Sequence, residues 1–109
     1  MKYQVYLSGP MSDLPDYNRP AFNEAAALLR SMGLTVFNPA EITDGNHERS
    51  YYMRLCFAAL LDSDCLVSLS RWASTSTGGS YRQRKVAELD LEIPVYNLST
   101  FLREKEGSR

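Results

Sequence analysis

Strand-like and helix-like segments alternate along this sequence, and the alternation restricts the fold more than any other feature. Runs rich in β-branched, aromatic and apolar residues predict four strands, at residues 3–7, 35–37, 65–69 and 93–96. Apolar residues at helical spacing predict three helices, one between Asn18 and Gly33 and two at residues 48–62 and 81–91. An order of this kind favours a mostly parallel sheet with helices on both faces.

The length of the chain, 109 residues, suits one α/β domain spanning residues 1–109. A last short helix, capped by Ser99, is expected to end at Arg103, and the charged tail at 103–109 is expected to fray. A chain of this size buries only about two-thirds of its surface when it folds. We therefore expect it to gain stability by forming a homo-oligomer.

The charge balance argues against nucleic acid as a partner. The net charge is −1 at pH 7, and the basic residues form one short run, Arg82-Gln83-Arg84-Lys85. No apolar run is long enough to span a membrane, and Met1-Lys2-Tyr3 leads directly into a strand, so we expect no signal peptide. Cys56 and Cys65 lie in apolar stretches, as free thiols do in a reducing compartment. We expect a cytoplasmic protein without a membrane partner.

The carboxyl ends of the predicted strands are where we expect a ligand, because open α/β sheets bind ligands beyond those ends. The loop Ser8-Gly9-Pro10-Met11 follows the first strand, and its backbone N–H groups suit a phosphate or sugar oxygen. Tyr17 and Asn18 lie at the same edge, where they suit base stacking or hydrogen bonding, and Asn38 follows the second strand. Structural interpretations stand beside these: turns for Ser8-Gly9-Pro10 and Asn38-Pro39, and a helix cap for Asn18.

The first loop belongs to a longer pattern that resembles a known family. The stretches that carry the resemblance are Tyr6–Ser12, Leu14–Asn18, Pro20–Asn23, Val36–Glu41, Tyr52–Arg54 and Ala58–Asp64. Together they are similar to the short branch of the nucleoside 2-deoxyribosyltransferase superfamily common in phages and bacteria, over roughly residues 3–97. The resemblance implies a flavodoxin-like, three-layer fold with a four- or five-stranded sheet. It also implies a pocket for a nucleoside or nucleotide, with no cofactor.

Two positions depart from the active-site pattern of that family. In active members a glutamate attacks the anomeric carbon of deoxyribose and displaces the base. The resemblance places Gln83 there, or Arg82 or Arg84 if the gap is shifted, and none of these is a carboxylate. An aspartate that helps to bind the sugar is replaced by Cys56. Retained chemistry would therefore need a displaced carboxylate, for which the candidates are Glu88, Asp64 and Asp16.

The remaining chemistry-bearing residues have both a functional and a structural interpretation. Trp72 opens a loop rich in Ser, Thr and Gly, where it suits either covering a bound base or packing at an interface. The basic run follows Gly78 and Gly79 at a helix start, which suits a phosphate, although such runs are commonly solvated helix faces. Asp64 has a structural interpretation as the residue that fixes the helix-to-strand turn. His47 has no Cys or carboxylate cluster at ligand spacing, so no metal site is expected.

Three functions are compatible with these residues. The favoured one is a nucleoside- or nucleotide-binding protein of the deoxyribosyltransferase type that has kept the pocket and lost the nucleophile. The second is an active deoxyribosyltransferase or deoxynucleotide N-glycosidase that uses a displaced carboxylate. The third is a phage-type interaction module, in which Trp72 and the loop at 70–80 contact a host protein.

Overall fold

A computed structural model of the protein describes residues 2–9, 18–42, 49–69 and 91–107. These residues form four strands, β1 (Tyr3–Ser8), β2 (Val36–Phe37), β3 (Ser63–Ser68) and β4 (Val95–Asn97). They also form the helices α1 (Arg19–Ser31), α2 (Arg49–Leu61) and α3 (Leu98–Gly107), and a 3₁₀ turn at Pro39–Glu41. The strand order is β2-β1-β3-β4, with every pairing parallel, which confirms the predicted flavodoxin-like α/β class.

Alternation along β1 divides the core between the two faces of the sheet. Val5 and Leu7 pack against α1 and α3, and we call this side the α1 face. Tyr6 points the opposite way, into a cluster with α2, and we call that side the α2 face. Because α1 and α2 cover opposite faces, the winding of the chain reverses between β1 and β3. That reversal is the topological switch point of the sheet.

Helix α1 follows from its own sequence. Its buried residues have the spacing of one helical face and are Phe22, Ala25, Ala26 and Leu29. Gly33 ends the helix at a φ of 87°, as the sequence predicts, and Leu34 N–H donates to the Leu29 carbonyl at 3.3 Å. Asn18 occupies the N-cap position in a left-handed conformation, but its side chain makes no capping hydrogen bond. The structure therefore confirms Asn18 as the N-cap residue of α1, without a capping hydrogen bond from its side chain.

Strand β3 begins two residues earlier than predicted, and this changes the role of Asp64. Ser63 pairs with Tyr3, and its hydroxyl donates to the Ala59 carbonyl at 2.7 Å. Asp64 therefore lies inside the strand with an exposed side chain, and its predicted role in the turn is wrong. Asp62 takes that place, since its N–H donates to the Ala59 carbonyl and its Oδ1 accepts from Lys2 N.

The last helix is capped by Asn97 and not, as predicted, by Ser99. Asn97 Oδ1 accepts from Thr100 N–H at 2.9 Å and from Ser99 Oγ at 3.0 Å. The helix runs to Gly107, beyond the predicted end at Arg103, because the intervening charged residues are good helix formers.

Strand β4 begins at Val95, where the sequence predicts residue 93, since Pro94 has no N–H to donate to a neighbouring strand. No helix within the described parts of the chain is long and apolar enough to cross a membrane.

Candidate functional site

Small polar residues stand at the carboxyl ends of the parallel strands. Strands β1 and β3 end at Ser8 and Ser68, and Asn38 directly follows β2. All three side chains are buried, with 2–4% of their surface exposed. We call these three residues the switch-point edge. Open α/β sheets bind ligands at such an edge, so buried hydrogen-bonding groups there mark the candidate site.

Ser8 and Ser68 form a pair across the switch point itself. They are register partners in the parallel ladder between β1 and β3, and Leu69 N–H extends the ladder by donating to the Ser8 carbonyl at 2.8 Å. Alternation places both hydroxyls on the α2 face, one step beyond Tyr6 and Leu66. Each hydroxyl both donates and accepts hydrogen bonds, which suits a sugar hydroxyl or a phosphate oxygen.

Gly9 lies in a tightly packed position at the end of β1. A Cβ atom at this position would lie 3.2 Å from Leu69 Cβ and 3.4 Å from Phe22 Cζ, so a larger residue would crowd the core on the α1 face. The absence of a side chain therefore lets the end of β1 approach α1 closely. From the sequence we expect Gly9 to let the backbone approach a ligand closely. The structure adds a second reason for glycine at this position, the close packing of β1 against α1.

Asn38 serves the turn that follows β2. Its Oδ1 accepts from Ala40 N–H at 3.0 Å, and its Nδ2 donates to Asn23 Oδ1 at 3.0 Å. Both ends of the amide are therefore hydrogen-bonded within the protein, one to the 3₁₀ turn and one to α1. This geometry favours the structural interpretation of Asn38, as an anchor between the switch-point edge and α1.

Beneath the serine pair lies a cluster of the buried Tyr6 and Cys56 with the partly buried Tyr52. Cys56 is 0% exposed, and its thiol is hydrogen-bonded with the hydroxyls of both tyrosines. Burial, together with the neighbouring thiol, raises the pKa of each tyrosine above its usual value. Burial also raises the pKa of the Cys56 thiol, against the lowering effect of the hydrogen bonds with the two tyrosines. The Tyr6 ring stacks on Phe37 with centroids 5.3 Å apart.

The cluster indicates a structural role for Cys56. The resemblance places a sugar-binding aspartate at this position, but the thiol is enclosed and its hydrogen bonds go to two protein hydroxyls. A neutral thiol in this environment neither attacks a sugar nor holds its hydroxyls as a carboxylate would. Cys56 is therefore part of the core that supports the switch-point edge.

Arg19 adds positive charge near this cluster. It is the first residue of α1, and its charge acts to lower the pKa of Tyr52, although burial and Cys56 outweigh it. The sequence interpretation did not identify Arg19, although it lies directly after Asn18 at the predicted edge.

The structure describes only some of the residues that the sequence predicts for the site. Ser8, Gly9, Asn18 and Asn38 lie at the ends of β1 and β2 or at the start of α1. Those that fall outside the described residues are Pro10, Met11, Asp16, Tyr17, His47, Trp72, Gly78, Gly79, Arg82, Gln83, Arg84 and Glu88. The predicted loop at 70–80 and, apart from Leu91, the helix at 81–91 also fall outside them.

Asp64 is the one displaced-carboxylate candidate among the described residues, and it lies near the amino end of β3. At about 3.3 Å per residue, it stands roughly 13 Å along the strand from Ser68. The structure therefore separates it from the switch-point edge. In the described ranges, no group of three His, Cys, Asp or Glu residues is arranged to hold a metal ion.

Sequence reasoning missed Ser68 and the partnership of Tyr6, Tyr52 and Cys56. Ser68 was detectable in principle, because it follows the apolar core of the third strand at the edge where a ligand is expected. The four-residue spacing of Tyr52 and Cys56 also indicates neighbours on one helix face. Nothing local connects them to Tyr6, which joins through the packing of β1 against α2.

Comparison with models of protein families gives a match over most of the chain. A family model described as a domain of unknown function (DUF4406) matches residues 3–95, a span that includes all of β1, α1, β2, α2 and β3. No curated protein matches the chain.

Proposed function

This chain belongs to the DUF4406 family, and we propose that it binds a nucleoside or nucleotide at the switch-point edge without transferring the sugar. The ligand class is supported by the resemblance of Tyr6–Ser12 and Val36–Glu41 to the nucleoside 2-deoxyribosyltransferase superfamily. The described residues of both stretches, 6–9 and 36–41, lie where β1 and β2 end. The protein is then a nucleotide-binding relative of those enzymes, without their activity.

The observation that carries the proposal is the buried pair Ser8 and Ser68, in register across the switch point. Two neutral hydroxyls side by side suit the recognition of sugar hydroxyls or phosphate oxygens. Neither is a carboxylate, and in the described part of the chain no strand ends in Asp or Glu. The edge thus offers binding groups in place of a carboxylate nucleophile.

Cys56 supports the second half of the proposal, the loss of sugar transfer. The family mechanism requires a carboxylate nucleophile and further carboxylates on the sugar. The thiol at the sugar-binding position is enclosed by Tyr6 and Tyr52, and Gln83 stands where the resemblance places the nucleophile. With both positions neutral, glycosidic bond cleavage by that route has no initiating group.

Calorimetric titration with deoxynucleosides and their 5′-monophosphates tests the binding. We expect Ser68→Ala to weaken binding about three- to tenfold, the value of one or two hydrogen bonds. The matched control is Ser63→Ala, since Ser63 is a buried serine of the same strand at the opposite end of the sheet. It loses a hydrogen bond to Ala59 and some stability, but its affinity for the ligand should equal that of the wild type.

Two outcomes would overturn the proposal in different ways. Absence of heat across the whole panel would contradict nucleotide binding at this edge. Chromatographic detection of free base after incubation with the same compounds would contradict the loss of transfer. In that case Glu88→Ala and Asp16→Ala variants would show whether a displaced carboxylate performs the attack, with Asp64→Ala as the control, because Asp64 lies far from the switch-point edge.

A further inference from the structure

The outward surface of α2 carries a continuous patch centred on Ala58. Arg54 and Leu55 lie one turn before Ala58, and Leu61 and Asp62 lie one turn after it, so all four neighbour it on the helix surface. Ala58 and Arg54 are exposed, and Leu61 is 58% exposed, the most exposed large apolar side chain among the described residues. We call these five residues the Ala58 patch.

The composition of the patch distinguishes it from an ordinary solvated helix face. Helix α2 contains no Asp or Glu along its length, and Arg54 makes no ion pair with any residue that the structure describes. The only carboxylate of the patch is Asp62, just beyond the helix end, where Lys2 N donates to Oδ1 at 3.2 Å. An apolar helix face with one charge at each end is typical of a helix that packs against a partner.

We propose that the Ala58 patch binds the same patch of a second copy of this chain, with the two α2 helices antiparallel about a two-fold axis at Ala58. In such an isologous contact, residues at equal distances on either side of the axis meet. Arg54 then faces Asp62 of the partner subunit, and Leu55 faces Leu61 of the partner subunit. The patch is therefore complementary to itself in charge and in apolar surface, and the small Ala58 lets the helix axes approach closely.

The size of the patch determines the strength of the contact. A stable interface buries about 800 Å² on each partner, and one helix crossing buries less. We therefore expect a weak dimer whose population rises with protein concentration. The two reciprocal ion pairs between Arg54 and Asp62 contribute mainly to the choice of partner and to the register of the helices. This self-association does not depend on the proposed nucleotide binding.

Sedimentation equilibrium over a wide range of protein concentration tests the dimer, and a charge exchange tests its geometry. Arg54→Glu places like charges opposite Asp62 of the partner subunit, and Asp62→Arg does the same opposite Arg54. Each variant alone is therefore expected to sediment as a monomer. An equal mixture of the two is expected to form a heterodimer, because both reciprocal pairs become attractive again.

Two further variants separate loss of the interface from loss of the fold. Leu61→Glu should abolish the dimer without changing the melting temperature, since Leu61 is largely exposed. Leu28→Glu is the matched control, because Leu28 is the other exposed leucine, 43% exposed, and lies on α1. It should dimerise as the wild type does. A monomeric wild type at every concentration, a dimeric Leu61→Glu, or a mixture that stays monomeric would each overturn the proposal.

Discussion

The two faces of the sheet bury different chemistry. On the α1 face, Val5, Leu7 and Val67 pack against aliphatic and aromatic side chains of α1 and α3, such as Phe22 and Phe101. On the α2 face, Tyr6 and Tyr52 share hydrogen bonds with Cys56 within an otherwise apolar cluster. The α1 face is stabilised mainly by apolar packing. The α2 face combines apolar packing with hydrogen bonds, which depend on the orientation of the groups that make them.

The difference indicates that the two faces stabilise the fold in different ways. Apolar packing gains free energy with little directional demand, whereas a buried polar cluster specifies one arrangement of its members. The hydroxyls of Ser8 and Ser68 continue the polar α2 face to the edge of the sheet. We therefore expect the stability cost of a substitution on the α2 face to depend on the charge it introduces and on pH. On the α1 face we expect that cost to depend on the change in side-chain volume.

The largest effect is expected for Cys56→Asp, which introduces a carboxylate at a fully buried position on the α2 face. Burial of a carboxylate should cost about 3 kcal/mol of unfolding free energy at pH 7, even with two hydroxyl donors nearby. Because burial raises the pKa of such a carboxyl, the folded variant favours the protonated acid. The cost is therefore small below pH of about 4 and grows as pH rises.

Urea unfolding followed by circular dichroism, at pH 7 and below pH of about 4, measures the loss of unfolding free energy in Cys56→Asp. Cys56→Ser is the control, since it keeps a small neutral hydrogen-bonding group and should show no such pH dependence. An equal loss for Cys56→Asp at the two pH values would contradict a face governed by hydrogen bonding and charge.

A smaller effect, about 1–3 kcal/mol, is expected for Gly9→Ala on the α1 face. The added Cβ would press on Leu69 and Phe22, and an overfilled core loses stability independently of pH. Gly33→Ala provides a comparison without crowding, because its Cβ would meet nothing within 4 Å. Only the positive φ opposes alanine at Gly33, at a cost of about 1 kcal/mol. Thermal unfolding measures both variants. A greater loss of stability in Gly33→Ala than in Gly9→Ala would show that Leu69 and Phe22 move aside easily for a Cβ at residue 9.

The smallest effect is expected at the rim of the α1 face, for the ion pair between Arg30 and Glu41. The two side chains make hydrogen bonds of 2.7 and 2.8 Å, but both are largely in solvent, so the pair contributes less than about 1 kcal/mol. The hydrogen bonds from Arg30 lower the pKa of Glu41, so the stabilisation is present above its unfolded pKa and is lost as pH falls through the folded value.

Glu41→Gln should therefore reduce stability slightly at pH 7 and leave it unchanged in acid. Glu41 is the better position to alter, since Arg30 also donates to the Val36 carbonyl at 3.0 Å. The difference in unfolding midpoint between variant and wild type, followed across pH, checks the sign. A difference that widens in acid would contradict it.

The fold was predictable where structure depends on neighbouring residues. The helical face from Phe22 to Leu29 and the glycine at residue 33 are local patterns, and α1 follows them. Boundaries that depend on distant residues were missed. Serine is a poor strand former, yet Ser63 begins β3 because it pairs with Tyr3 across the sheet. Asn97 takes the capping role from Ser99 because β4 ends one residue later than its apolar run.

The candidate site was predictable only in part. The alternation of strands and helices predicts an edge at the strand ends, and the structure places Ser8 there, at the end of the most recognisable strand. Ser68 and the contact between Tyr6 and Cys56 depend on pairings between segments far apart in the chain. Local periodicity carries no information on which face of β1 meets α2, and that contact decides whether Cys56 is open to a ligand or enclosed.

The pairing of Ser8 with Ser68 also has a kinetic consequence. The two residues belong to segments distant in sequence, and they meet only when the central strands come together, a contact that requires closure of a long loop. A molecule held between them recognises the finished fold and none of its parts. Under the proposed function, binding of a nucleotide there would slow unfolding and leave the rate of folding unchanged, so the ligand would prolong the life of the native state without speeding its formation.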